Sequence, residues 1–236
     1  MKIKWSTKAL EQLRNPRLPN APKIVPLDTE LQKHLDGTTI QHPLYCTTEH
    51  LPMLNGVANK RLATQRAAVT KARERLEWTN FVLLHEPPWR VKALQSITNE
   101  LDDITYWPIL ADLWLNTDSI HEDIDTWRGA FNSRRQSNMV FLMTAAEQYT
   151  LNRLPNIITV YRGYNGRVSG PRGLSWTTSR PTALWHAARN KGPKDLPVIA
   201  SGRVYKETVW AHFNRRADSE IVVDGGAVFD VQIHAT

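Results

Sequence analysis

The chain has 236 residues, 41% of them apolar, enough for one large domain or two small ones with a real core. Its formal charge is +7: residues 1–155 hold 19 Lys and Arg against 17 Asp and Glu, and residues 156–236 hold 11 against 6. The basic excess therefore lies on the C-terminal part and favours polyanionic partners, and no stretch approaches the roughly 18–20 apolar residues of a membrane-spanning helix.

Residues 1–8 lack the apolar segment of a secretion signal, and the lone Cys46 permits no internal disulfide, so a cytoplasmic protein is expected. Pro16, Pro19, Pro22 and Pro26 recur through residues 1–27. Proline at that density blocks a continuous helix and predicts an extended arm. Asp28 can cap a short helix over 28–36, and residues 37–55 read as irregular or as a small hairpin. From 56 to 85, Ala58, Leu62, Gln65, Val69, Ala72, Leu76, Thr79 and Leu83 follow steps of four and three, which predicts one long helix. Lys60, Arg61, Arg66, Lys71, Arg73 and Arg75 surround that stripe; such a run is a solvated helix face or a nucleic-acid contact. Pro87-Pro88 stops the helix.

Further helices are predicted over 89–103, over the strongly apolar 106–116, from Asp118 or Ser119 through Phe131, and over 139–149. Trp78, Trp107, Trp114 and Trp127 fall at apolar helix positions and read as core. His34, His42 and His50 recur every eight residues, which aligns them on no single element, and no metal site is predicted. After about residue 154 the texture changes. Residues 157–161, 174–178, 198–205, 220–223 and 228–233 are rich in β-branched and aromatic side chains and predict strands. Residues 181–190 are Ala-rich and helical, 207–213 read as a helical turn, and Gly225-Gly226 turns the chain. The expected organisation is an arm (1–27), a helical domain (28–153) and a β-rich domain (154–236), an α+β chain.

Three short stretches of the β-rich part carry polar residues at the ends of apolar runs. In Tyr161-Arg162-Gly163, the arginine offers a planar cation that holds two oxygens at once, and the glycine lets a ligand approach the backbone. In Leu174-Ser175-Trp176-Thr177-Thr178, strand spacing puts the Ser175 and Thr177 hydroxyls on one face. In Asp218-Ser219-Glu220-Ile221-Val222-Val223, two carboxylates share a face and converge. Each has an ordinary alternative: an edge arginine, a Thr-rich strand end, a turn acid.

In that order, a strand arginine, a Ser-x-Thr turn and an acid-x-Glu strand resemble the R-S-E constellation of mono-ADP-ribosyltransferases, over residues 157–234, about a third of the chain. Small versions of that family's fold in phage and toxin proteins look similar. The resemblance implies a split, two-sheet fold that clasps NAD as co-substrate, in this case following a helical N-terminal domain. It implies that Arg162 binds phosphate and ribose, with Gly163 backbone groups near the nicotinamide amide. It implies that Ser175, Trp176 and Thr177 form the serine motif, that Glu220 is the catalytic glutamate at the ribose, and that Asp218 aids the acceptor. The segment holding Trp210, Phe213, Arg215 and Arg216 falls where the family recognises its target. Two departures stand out: the motif reads Ser-Trp-Thr where Ser-Thr-Ser is usual, and Asp218 is one methylene shorter than Glu. The implied activity is transfer of ADP-ribose to a macromolecule, more readily a protein than a nucleic acid, in the cytoplasm, a host's if the protein is a phage's. NAD glycohydrolysis and a non-enzymatic nucleic-acid-binding or adaptor role are the alternatives.

Overall fold

A computed structural model describes residues 25–117, 123–164, 170–189, 198–215 and 219–235. The chain is α+β, with a small three-stranded sheet near its start, then a run of helices, then a six-stranded antiparallel sheet. It divides into two compact units: residues 1–76 with 84–86, and residues 77–83 with 87–236. This division falls well before residue 154, where the composition changes. The expected arm lies outside the described residues except for 25–27. No described helix is long and apolar enough to cross a membrane.

In the first unit, helix α1 (Thr29–Lys33) starts at Asp28, whose side chain accepts from the Glu30 amide at 2.8 Å. A three-stranded antiparallel meander follows: β1 (Leu35–Asp36), β2 (Thr39–His42) and β3 (Tyr45–Thr47). Helix α2 (Asn55–Glu74) packs Ala58 and Leu62 against Leu27, Leu31, Ile40 and Leu44. The histidine rings of His34 and His42 meet edge-on at 4.9 Å, His42 Nε2 lies 2.7 Å from Glu30 Oε1, and buried His50 Nε2 lies 2.8 Å from Asn55 Oδ1. The predicted single helix over 56–85 is broken. Leu76 sits at φ +57°, in the left-handed region, and helix α3 (Trp78–Leu83) restarts beyond it in the second unit.

The second unit builds its helical layer from α3, α4 (Arg90–Ser96), α5 (Asp103–Leu115), α6 (Ile124–Phe131), a 3₁₀ segment (Gln136–Leu142) and α7 (Ala145–Arg153). The predicted start at Asp118 or Ser119 lies outside the described residues. The predicted helix over 139–149 is divided at Met143, because Thr144 caps α7 through a reciprocal box with Glu147. Trp107, Trp114 and Trp127 are buried as expected, whereas Trp78 is only half-buried. Trp114 meets Phe131 edge-on at 5.1 Å, and Phe131 in turn stacks on Trp210 at 5.1 Å, so helices and sheet share this core.

The sheet has six antiparallel strands, β4 (Ile157–Tyr164), β5 (Ser175–Thr177), β6 (Val198–Tyr205), β7 (Val209–Phe213), β8 (Glu220–Val223) and β9 (Phe229–Ala235), in the order β7-β8-β5-β4-β6-β9. Its middle is thin. Strands β4 and β6 pair from Ile157↔Tyr205 to Tyr164↔Val198, whereas β4 and β5 meet only at Tyr161↔Thr177. In place of two separate sheets, the described strands form one order of two halves joined at that pair. One face packs Ile158, Val160, Trp176, Val204, Ile221 and Val223 into the main core. Against the other face lies helix α8 (Arg180–Arg189), through Ala183, Ala187 and Ile199. Residues 207–213, expected as a helical turn, are a short 3₁₀ turn followed by strand β7.

Candidate active site

The single pair Tyr161↔Thr177 fixes what can gather around it. Arg162 follows Tyr161, Ser175 precedes Thr177 by two positions, and Thr177 is also the register partner of Glu220. Three residues distant in sequence are thereby placed at one join between the two half-sheets. All three side chains are half-buried.

The contacts are direct. The Ser175 hydroxyl donates to Glu220 Oε1 at 2.5 Å, so it orients the carboxylate. Arg162 Nη1 donates to the Ser175 carbonyl at 2.7 Å and Nε donates to the Gly170 carbonyl at 3.0 Å. Carbonyls position a guanidinium without neutralising it. Burial pulls the Arg162 guanidinium down to about 10, with Tyr164, once its phenol ionises, and the Glu220 carboxylate acting the other way. Even so it is fully cationic at neutral pH, a desolvated cation suited to an anionic ligand. Among the described residues, its Nη2 makes no hydrogen bond.

Glycine shapes this seat. A Cβ on Gly173 would lie 2.1 Å from Arg162 Cζ, so the guanidinium rests on the bare backbone of that residue. The turn over 170–173 is itself packed: a Cβ on Gly225 would lie 2.4 Å from the Arg172 carbonyl oxygen, and Val223 N donates to the Leu174 carbonyl at 3.0 Å. The short Arg162-to-Ser175 connection is thus a turn where it is described; residues 165–169 lie outside the described part.

Other expected site residues divide. Gly163 lies beside Arg162, but a Cβ there would meet Ala183 O at 1.8 Å, so its first role is to let α8 approach β4. Trp176 points into the main core and its indole donates to the Gly173 carbonyl at 2.9 Å. Its side chain is core rather than a ligand contact, a correction to its expected place in the serine motif. Thr177 is buried and accepts from the Ser179 amide at 3.1 Å, which turns the chain into α8. Asp218 and Arg216 lie outside the described residues. The remaining recognition residues have partners within the second unit. Trp210 is stacked on Phe131, and Phe213 is 1% exposed with the Arg215 guanidinium over its ring. Arg215 Nε and Nη2 both donate to the Glu147 carboxylate at 3.2 Å. Trp210 and Phe213 are packed within the second unit, a correction to their expected place in target recognition, whereas Arg215 pairs with Glu147 and keeps an exposed side. Trp185 is exposed on α8.

Sequence reasoning missed a second layer. Ser219, between the two acids, receives the Thr178 hydroxyl at 2.7 Å and lies 2.9 Å from His212 Nε2. His212 is 1% exposed, and burial holds its pKa below the ordinary 6.5 against the opposing pull of Glu147. Glu147 is fully buried; burial pushes its carboxyl up, and hydrogen bonds from the Thr144 backbone and hydroxyl and from Arg215 outweigh this and hold it below the ordinary carboxylate value. The Thr144-x-x-Glu147 spacing was a readable capping signal; no local signal marks His212. Among the described residues, no cluster of three or more His, Cys, Asp or Glu is placed to hold a metal ion.

The basic stripe of α2 is partly consumed. Arg66 pairs with Glu30, and Arg61 pairs with Glu86 at 3.2 Å. Comparison with protein-family models, curated proteins and solved structures gave no match to this chain.

Proposed function

We propose that this chain is an NAD-dependent mono-ADP-ribosyltransferase. The observation that carries the reading is one contact set: Ser175 bonded to Glu220, with Arg162 bonded to the Ser175 backbone. These are the three residues that the resemblance names, in its order. An arginine, an alcohol and a carboxylate at one join can assist cleavage of a nicotinamide–ribose bond by holding the phosphates, orienting the carboxylate and facing the developing charge. Arg162 would hold the pyrophosphate and ribose, lowering the entropic cost of aligning the dinucleotide. As the C1′–N bond breaks, nicotinamide leaves with the bonding electrons and positive charge spreads over the ribose ring. The Glu220 carboxylate, fixed by Ser175, faces that charge without having to reorganise. The acceptor then adds to C1′ and gives up its proton, a role that the resemblance places on Asp218.

Labelled NAD incubated with the protein and a cell lysate tests this. Label on a protein is the expected result; label on nucleic acid changes the acceptor class, and free ADP-ribose alone makes water the acceptor. Glu220→Gln is expected to lower nicotinamide release at least about a hundredfold, as loss of one preorganised electrostatic group does. A fully active Glu220→Gln protein would remove the assignment.

A further inference from the structure

Glu147 lies outside the site just described, yet it is a carboxylate with 0% exposure. A capping box at a helix start requires only that its glutamate reach back to the cap residue. That duty is met by Oε2, which accepts from the Thr144 amide and hydroxyl, each at 2.8 Å. Oε1 is turned to a different part of the chain. It accepts from the Asn214 amide at 3.3 Å and from Arg215 Nε at 3.2 Å, while Arg215 Nη2 reaches Oε2. Burying a carboxylate costs free energy unless its oxygens are saturated, and here that saturation is supplied from almost 70 residues away. Asn214 and Arg215 follow β7 directly and lead into the segment carrying Asp218 and Glu220. Its far end is tied as well, where Ser219 meets Thr178 and His212.

We propose that Glu147 is a positioning residue for the acidic segment. It fixes the 214–215 end from helix α7, while Ser219 is fixed beside Thr178 and His212 and Phe213 pairs in register with Glu220, so that the Glu220 carboxylate is held ready for the ribose. This rests on the ADP-ribosyltransferase reading for its kinetic consequence, not for its structural one. Arg162 and the turn at 170–173 are held by other contacts. Loss of the Glu147 charge therefore affects the bond-breaking step and leaves dinucleotide binding in place.

The test is Glu147→Gln in the full-length protein, with hydrogen exchange and steady-state NAD cleavage measured on the same sample. Exchange is expected to accelerate on the order of tenfold or more in peptides covering 212–223, and much less in those covering 157–164. Cleavage should show kcat reduced about tenfold or more with KM for NAD within about threefold. Arg215→Gln should reproduce both effects, and the double variant should add little, because the pair acts as a unit. If Glu147→Gln does not fold, Arg215→Gln alone carries the test. Uniform acceleration across the whole sheet, or unchanged exchange at 212–223, would make Glu147 an ordinary stabilising residue and overturn the proposal. So would a rise in KM without a fall in kcat. A wild-type protein that does not cleave NAD would remove the catalytic reading, and the exchange pattern would still decide whether Glu147 holds the segment.

Discussion

The three central residues could be singled out from the sequence because each borders an apolar run and because their order matches a known constellation; each alone reads as an ordinary strand end. Arg162, Ser175 and Glu220 needed only the join at Tyr161↔Thr177 to bring them together. Their supports were not legible, since each is defined by a partner distant in sequence. Gly173 is the clearest case. It reads as a loop glycine, yet the Arg162 guanidinium occupies the space its side chain would take. Because the clashing atoms are the tip of a flexible side chain, Gly173→Ala should fold and displace the arginine. The unfolding midpoint is expected to stay within a few degrees, while, under the proposed function, KM for NAD rises about tenfold to a hundredfold, as small misplacements of a positioning group do. Calorimetry and cleavage kinetics on one preparation check both halves. A normal KM would mean that Arg162 does not hold the dinucleotide.

Among the elements, strands rich in β-branched residues were read with nearly their observed bounds, and two other elements were misread for physical reasons. Strand β7 shows no alternation because Trp210, Ala211, His212 and Phe213 are all buried, so the period that distinguishes a strand is missing. The helix break at Leu76 has no glycine or proline to announce it, and the steps of four and three run through it unchanged. Gly163 belongs at this scale too. The spacing read it as room for a ligand, but the structure uses the room for a helix, since an added Cβ would strike Ala183 O and Ala187 N. Those are backbone atoms, so α8 as a whole must move. Gly163→Ala is therefore expected to cost about 2 kcal/mol and to lower the unfolding midpoint by roughly 4–8 °C. Thermal unfolding followed by circular dichroism measures this. A midpoint equal to wild type would show that α8 can retreat from β4 without loss.

For the whole molecule, composition and packing divide the chain at different places. The change of texture at about residue 154 marks where helices give way to strands, whereas the compact unit begins at residue 77, with 84–86 belonging elsewhere. The reason is that the β-rich part cannot close its own core. Leu151 and Leu154 pack against the main apolar cluster, Trp210 is stacked on Phe131, and Arg215 is paired with buried Glu147. Cutting at 154 would expose that apolar surface and strip Arg215 of its carboxylate partner; a segment of this size has little stability to lose. A fragment of residues 77–236 is accordingly expected to be soluble, to give a near-ultraviolet circular dichroism signal from its packed tryptophans and to unfold cooperatively. A fragment of residues 154–236 should show neither the signal nor a cooperative transition. If the shorter fragment folds on its own, the helices from 87 to 153 are an accessory to the sheet. If only the longer one does, they are part of its core, and the groups they contribute, Glu147 first among them, belong to any account of how the site is held.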